Sequence, residues 1–68
     1  MGAKKATVKN TPGWKLRRWR SLRDLTQAQA GALFGVSQPT WSQYELGARE
    51  PEDESVRHEI RARTGVRW

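Results

Sequence analysis

Apolar residues recur along the chain in short groups at helical spacing, each bracketed by a start and a stop signal. Leu16, Trp19 and Leu22 stand three apart, which predicts one face of a helix. Thr11-Pro12 opens that helix, with Thr as N-cap and Pro at the first helical position, so it covers about 12–23. Thr26 caps a short second helix, about 27–34, whose run QAQAGALF is rich in helix formers and stops at Gly35. Ser37 caps a third, about 38–46, in which Pro39 is tolerated because a first-turn N–H has no helical partner to lose. Trp41 and Tyr44 make its inward stripe, and Gly47 ends it. The stretch GAREP, residues 47–51, is a loop. Glu52, Asp53 and Glu54 then supply a negative first turn, Val56 and Ile60 lie four apart, and Gly65 is a stop, giving a fourth helix over about 52–63. Residues 66–68 are a short tail. No stretch alternates with period two, so the fold class is all-α: a compact bundle of four short helices over residues 12–68. MGAKKATVKN has low hydrophobicity and no period, and residues 1–11 read as a disordered, flexible basic arm.

The second and third helices, separated by Gly35-Val36-Ser37, have the spacing of a helix-turn-helix. Gly31 stands where the next helix crosses closely, and Gly35 supplies a positive φ at the turn. Val36 is the apolar plug, while Ala30, Phe34, Trp41 and Tyr44 face inward. A plain helical hairpin with a glycine turn is the competing reading, and agreement at these seven positions weighs against it. With roughly 100° between successive residues, Pro39, Ser42, Gln43 and Leu46 fall on the face opposite Trp41 and Tyr44. Gln bonds an adenine edge bidentately and Ser bonds either groove partner, so this face suits base reading.

Composition narrows the function classes. The chain has 68 residues, so one small domain with a thin core is expected. It has no cysteine and one histidine, which removes a disulfide framework, a cysteine zinc site and a cysteine nucleophile. His58 reads as a solvated helix residue, because no second histidine completes a metal site. Ser37 and Ser42 have no base that the spacing brings beside them, so no enzyme, no cofactor and no small-molecule ligand are expected. No apolar run approaches the roughly 18 residues of a membrane span. A soluble, cytoplasmic protein, nucleoid-associated in a bacterial host, is expected. Thirteen Lys and Arg against seven Asp and Glu leave a net charge of +6. Eight of the basic residues and one acidic residue, Asp24, precede position 45; five basic and six acidic residues follow from there. A basic half joined to an acidic half suggests a face made for a polyanion.

The run Leu25-Thr26-Gln27 through Gly35-Val36-Ser37-Gln38, then Trp41-Ser42-Gln43-Tyr44-Glu45 and Gly47 to Pro51, resembles the Cro/C1-type (XRE-like) helix-turn-helix family of phage repressors and bacterial regulators. The likeness covers about residues 14–64 and is most specific at LTQ, GVSQ and the E-x-G…P exit. The resemblance implies sequence-specific binding of a double-stranded DNA operator and repression by occlusion, with helix 38–46 in the major groove. It implies base reading by Gln38, Pro39, Ser42 and Gln43, and backbone contacts from Gln27 and Thr40. It also implies an ion pair between Arg20 and Glu45, with Arg20 close to the DNA backbone. Lys15, Arg17 and Arg18 in the first helix are expected to add backbone affinity. The sequence departs from the family at Ala30, where Leu is usual, and at Trp19 and Trp41, where aliphatic residues are usual. Compensation of volume accounts for such swaps. Leu33 replaces a charged residue and Pro39 a polar one, and no fifth helix fits after Gly65.

Trp14, Leu33, Val66 and Trp68 exceed the obvious needs of the core. Ordinary surface residues and the patch of a homodimer, which two-fold operator recognition on DNA requires, are both open readings, and Trp14, Leu33 and Trp68 stay undecided between core, surface and interface. A second function stays open: an adaptor or antitoxin-like module that docks another protein through the acidic segment 50–59. RNA binding through the basic arm is the weaker third, because neither an open aromatic sheet nor a GXXG loop is present.

Overall fold

The computed structural model describes residues 11–68. Four helices follow in order: α1 (Pro12–Leu22), α2 (Gln27–Leu33), α3 (Gln38–Leu46) and α4 (Glu54–Thr64). The expected basic arm lies outside the described residues, apart from Thr11.

Each helix starts where a side-chain oxygen meets an N–H that the helix leaves unpaired. Thr11 accepts from the Trp14 backbone N–H at 3.2 Å. Thr26 forms a full capping box: its hydroxyl accepts from Gln29 N–H at 3.0 Å, and its own N–H donates to Gln29 Oε1 at 2.9 Å. Ser37 accepts from Thr40 N–H at 3.3 Å. The expected start of the fourth helix at Glu52 is corrected by two residues. Asp53 caps it, accepting from Ser55 N–H at 2.8 Å and from the Ser55 hydroxyl at 2.6 Å, which leaves Glu52 and Asp53 outside the helix.

Two glycines decide how closely α3 approaches its neighbours. A Cβ on Gly31 would lie 2.8 Å from the Val36 carbonyl oxygen and 3.4 Å from Trp41 Cβ. A Cβ on Gly13 would overlap the carbonyl oxygens of Tyr44 and Glu45, so α1 rests directly on the last turn of α3. Gly35, at φ 72°, makes the turn between α2 and α3 in the left-handed region.

The core consists of Leu16, Ala30, Phe34, Trp41, Tyr44, Ile60 and Val66. Aromatic rings run through it in contact. Trp19 tilts against Phe34 at 5.9 Å, Phe34 stacks on Trp41 at 5.3 Å, and Tyr44 meets Trp41 and Trp68 edge-on at 6.2 and 6.0 Å. Each such ring buries roughly 150–250 Å², which is how so short a chain assembles a core. Ala30 is fully buried in the same cluster as Trp41, so a small residue and a large one share the volume.

Two expectations about burial change. Leu22 does not share the face of Leu16; it is 72% exposed. A spacing of three drifts by about 60° per step, and two steps carry Leu22 off the buried side. Val66 is buried and Trp68 is half-buried against Tyr44, so the tail folds back onto the core. Leu33 stays 45% exposed and Trp14 half-buried.

Candidate nucleic-acid interface

The centre of the candidate interface is a buried carboxylate. Glu45, near the end of α3, has a side chain only 3% exposed. Its Oε2 accepts from Arg20 Nε at 2.6 Å and from Trp41 Nε1 at 2.6 Å. Its Oε1 accepts from Arg20 Nη2 at 3.2 Å and from Gln27 Nε2 at 3.1 Å. Burial alone would push the carboxyl pKa up. The hydrogen bonds from Arg20, Gln27 and Trp41, with the charge of Arg20, outweigh that and hold it below the ordinary carboxylate range. Glu45 is therefore ionised at neutral pH and can only accept.

That polarity passes outward. Gln27, the first residue of α2, turns its amide nitrogen to Glu45 and so presents its Oε1 to Gln38, which donates from Nε2 at 2.7 Å. The first residues of α2 and α3 are thus joined, and Gln38 retains its carbonyl and one N–H for an outside partner. The resemblance implies the pairing of Arg20 with Glu45, and the two side chains are in contact; Gln27, expected at the DNA backbone, also bridges Glu45 and Gln38.

The other implied reading residues lie on α3. Pro39 and Gln43 are exposed and Ser42 is half-buried. Leu46 continues the same face and is 78% exposed. Thr40 is half-buried and its hydroxyl accepts from Ser37 at 2.9 Å, so it belongs to the cap of α3 as much as to the surface.

The cations of α1 do not form one group. Arg20 turns inward: its side chain is 18% exposed, and it also donates from Nη1 to the Leu25 carbonyl at 2.9 Å. Lys15 and Arg18 line a groove against the end of α4 with Trp14, Trp19, Leu22 and Val66, and the Arg18 guanidinium lies 5.8 Å from the Trp14 ring. Arg17 is exposed and stands about 60° round α1 from Arg20, against about 140° for Lys15 and 160° for Arg18. Since Arg20 points at Glu45, Arg17 is the one on the flank nearer α3.

Much of the acidic segment 50–59 is engaged within the fold. Glu50 lies 3.7 Å from Arg57, Asp53 caps α4, and Glu59 pairs with Arg63 at 3.2 Å. His58 is exposed on α4. Among the described residues no cluster of His, Asp and Glu could hold a metal ion, and no helix is long and apolar enough to cross a membrane.

The indole donor of Trp41 is the site feature that the sequence reading did not single out. A Trp four residues before a Glu on one helix face is the signal that carries it. A family model described as a helix-turn-helix domain matches residues 13–64. No curated protein and no solved structure matches the chain.

Proposed function

Because the chain belongs to this helix-turn-helix domain family, we propose that it binds double-stranded DNA sequence-specifically, as a repressor of Cro type. In this reading α3 enters the major groove and the bound protein occludes a promoter. One observation carries it. Gln38 is fastened through Gln27 to the buried Glu45, with Gln43 exposed further along α3, so two amides stand on the outward side of a braced helix. Each amide offers a donor and an acceptor, the pattern of an adenine edge in the major groove. Pro39 offers only apolar contact, and Ser42 a hydroxyl at the margin. Gln27, Thr40, Arg17 and, at greater distance, Lys15 and Arg18 supply backbone contacts. Arg20 acts mainly through Glu45, with two of its five N–H groups left for a phosphate.

A homodimer on DNA and residence on the nucleoid in the cytoplasm belong to the same reading. The adaptor alternative draws less support, because Glu50, Asp53 and Glu59 already have partners in the fold.

Selection from a random duplex pool tests the proposal. The expected result is an enriched motif with adenines, repeated as a palindrome with half-sites about 34–36 Å apart for a dimer. Gln43→Ala is expected to lose preference for that motif while keeping its affinity for random duplex and its melting temperature. A pool that emerges unenriched, with binding set only by salt, overturns the reading.

A further inference from the structure

We infer that Trp41 is a positioning residue: its buried indole N–H orients the base-facing amide of Gln38 through Glu45 and Gln27. The inference rests on the proposed DNA reading for its consequence, but its geometry stands without DNA.

Three hydrogen bonds in sequence carry it. Trp41 Nε1 donates to Glu45 Oε2 at 2.6 Å, Gln27 Nε2 donates to Glu45 Oε1 at 3.1 Å, and Gln38 Nε2 donates to Gln27 Oε1 at 2.7 Å. Trp41 is completely buried, and its ring is clamped by Phe34 and Tyr44. It is therefore a fixed point, whereas Gln38 is exposed and would otherwise sample several rotamers.

Arg20 holds both oxygens of the carboxylate, but unevenly. Its Nε contact at 2.6 Å is short, but its Nη2 contact to Oε1 is 3.2 Å. Oε1 is the oxygen that Gln27 uses. Tying Oε2 to an immobile ring in the core pins one oxygen of the carboxylate, and together with the hold of Arg20 on both oxygens this decides where Oε1 stands. Gln27 must then point its NH2 group at an acceptor-only oxygen, which leaves its carbonyl for Gln38. Gln38 in turn keeps one N–H and its carbonyl outward. The hydrogen-bond polarity of a core indole thus reaches the surface three side chains away. Hydrogen bonds in such a chain also reinforce one another in a poorly solvated setting.

A purely volumetric role for Trp41 predicts something else. Loss of ring volume would loosen α3 as a whole and weaken every contact made by its outward face. Loss of the N–H alone should act on Gln38 and leave Gln43, which is outside the chain of bonds, untouched.

The test uses the full chain with three substitutions. Trp41→Phe removes the N–H and part of the ring. Replacement of Trp41 by benzothienylalanine, through total synthesis, keeps the ring shape and removes only the N–H, so it serves where Trp41→Phe fails to fold. Trp19→Phe is the control: Trp19 packs on the same Phe34, but its indole N–H has no acceptor among the described residues. Two measurements are made on each. Without DNA, side-chain amide NMR follows the Gln27 and Gln38 NH2 groups. With DNA, binding is compared between the selected duplex and single-base variants, the base read by Gln38 being defined as the one whose preference Gln38→Ala erases.

Both Trp41 variants are expected to collapse the dispersion of the Gln27 and Gln38 amide protons. They are also expected to cut discrimination at the Gln38 base by about three- to ten-fold, part of what a full bidentate contact supplies. Discrimination at the Gln43 base should stay as in wild type, and Trp19→Phe should leave both bases and both amides unchanged. Unchanged amide resonances in the benzothienylalanine protein overturn the inference, whatever the DNA result. Equal loss at both bases also overturns it and assigns Trp41 to packing. Collapsed amides in a protein that shows no base preference at all uphold the positioning and sink the DNA reading instead.

Discussion

At the scale of single residues, Glu45 bears the greatest consequence. Four donors converge on a carboxylate whose side chain is 3% exposed, so removing it strands Arg20 and the Trp41 indole together. Glu45→Ala is expected to cost about 3–5 kcal/mol, the usual penalty for breaking a buried pair from one side. In a domain this small that is a large share of total stability, and a thermal or urea melt within a degree or two of wild type contradicts it. The same carboxylate shapes the response to acid. Its folded pKa lies below the ordinary value of 4.5, so its contribution is complete above that value and is lost as pH falls through the folded pKa. Urea midpoints measured downward from about pH 5 should therefore fall in wild type. They should fall less in Glu45→Gln, which has no charge to titrate there; parallel curves for the two would show that Glu45 is not the group responsible. The Arg20–Glu45 pair was legible only through the family resemblance, which carries both positions over; the spacing within one helix says nothing of a contact between α1 and α3. The indole of Trp41 was not legible. Its apolar bulk places it in the core on any reading, and which buried acceptor its N–H finds depends on the rotamers of three helices.

At the scale of elements, the helices were legible because their ends are chemical. Thr11, Thr26 and Ser37 announce starts, and Gly47 and Gly65, both in the left-handed region, announce stops. The fourth helix slipped by two residues because three acidic residues in a row, Glu52 to Glu54, all suit a first turn, and only the short reach of Asp53 selects the cap. The contacts between elements were less legible. Gly31 declares its role through the turn beside it, whereas Gly13 sits in an ordinary helical run and its reason is a distant segment, the carbonyls of Tyr44 and Glu45. Alanine at either site gains about 1 kcal/mol in helix propensity. The new methyl, however, meets backbone oxygen, and overpacking of this kind costs about 1–3 kcal/mol. Gly13→Ala and Gly31→Ala are both expected to melt below wild type, with Gly13→Ala the lower, since its Cβ meets two carbonyl oxygens of α3 at once. A Gly13→Ala protein as stable as wild type would mean that α1 does not rest on α3 as described.

At the scale of the whole molecule, charge and shape have to be read together. The tail stayed undecided in the sequence for that reason. Val66 and Trp68 carry no period and stand in a cationic stretch, yet they close the core once α4 is docked. The net charge of +6 marks a polyanion partner without saying which cations face it. The fold sorts them: Arg17 stands on the flank of α1 toward α3, while Lys15 and Arg18 turn to the groove at the end of α4. If α3 lies in the major groove, the phosphates on either side come within reach of Arg17 and stay farther from the other two. Each phosphate neutralised contributes about 0.9 to the slope of log K against log salt on duplex DNA. Arg17→Ala is therefore expected to flatten that slope by about 0.9, and Lys15→Ala and Arg18→Ala by clearly less. All three should keep the wild-type ratio between preferred and random duplex, because phosphate contacts carry no base information. Binding titrations of the three variants across salt decide the matter. Equal slopes for all three would place α1 broadside to the DNA, and a reversed order, with Lys15 and Arg18 dominant, would put the groove beside α4 on the duplex and take α3 out of it.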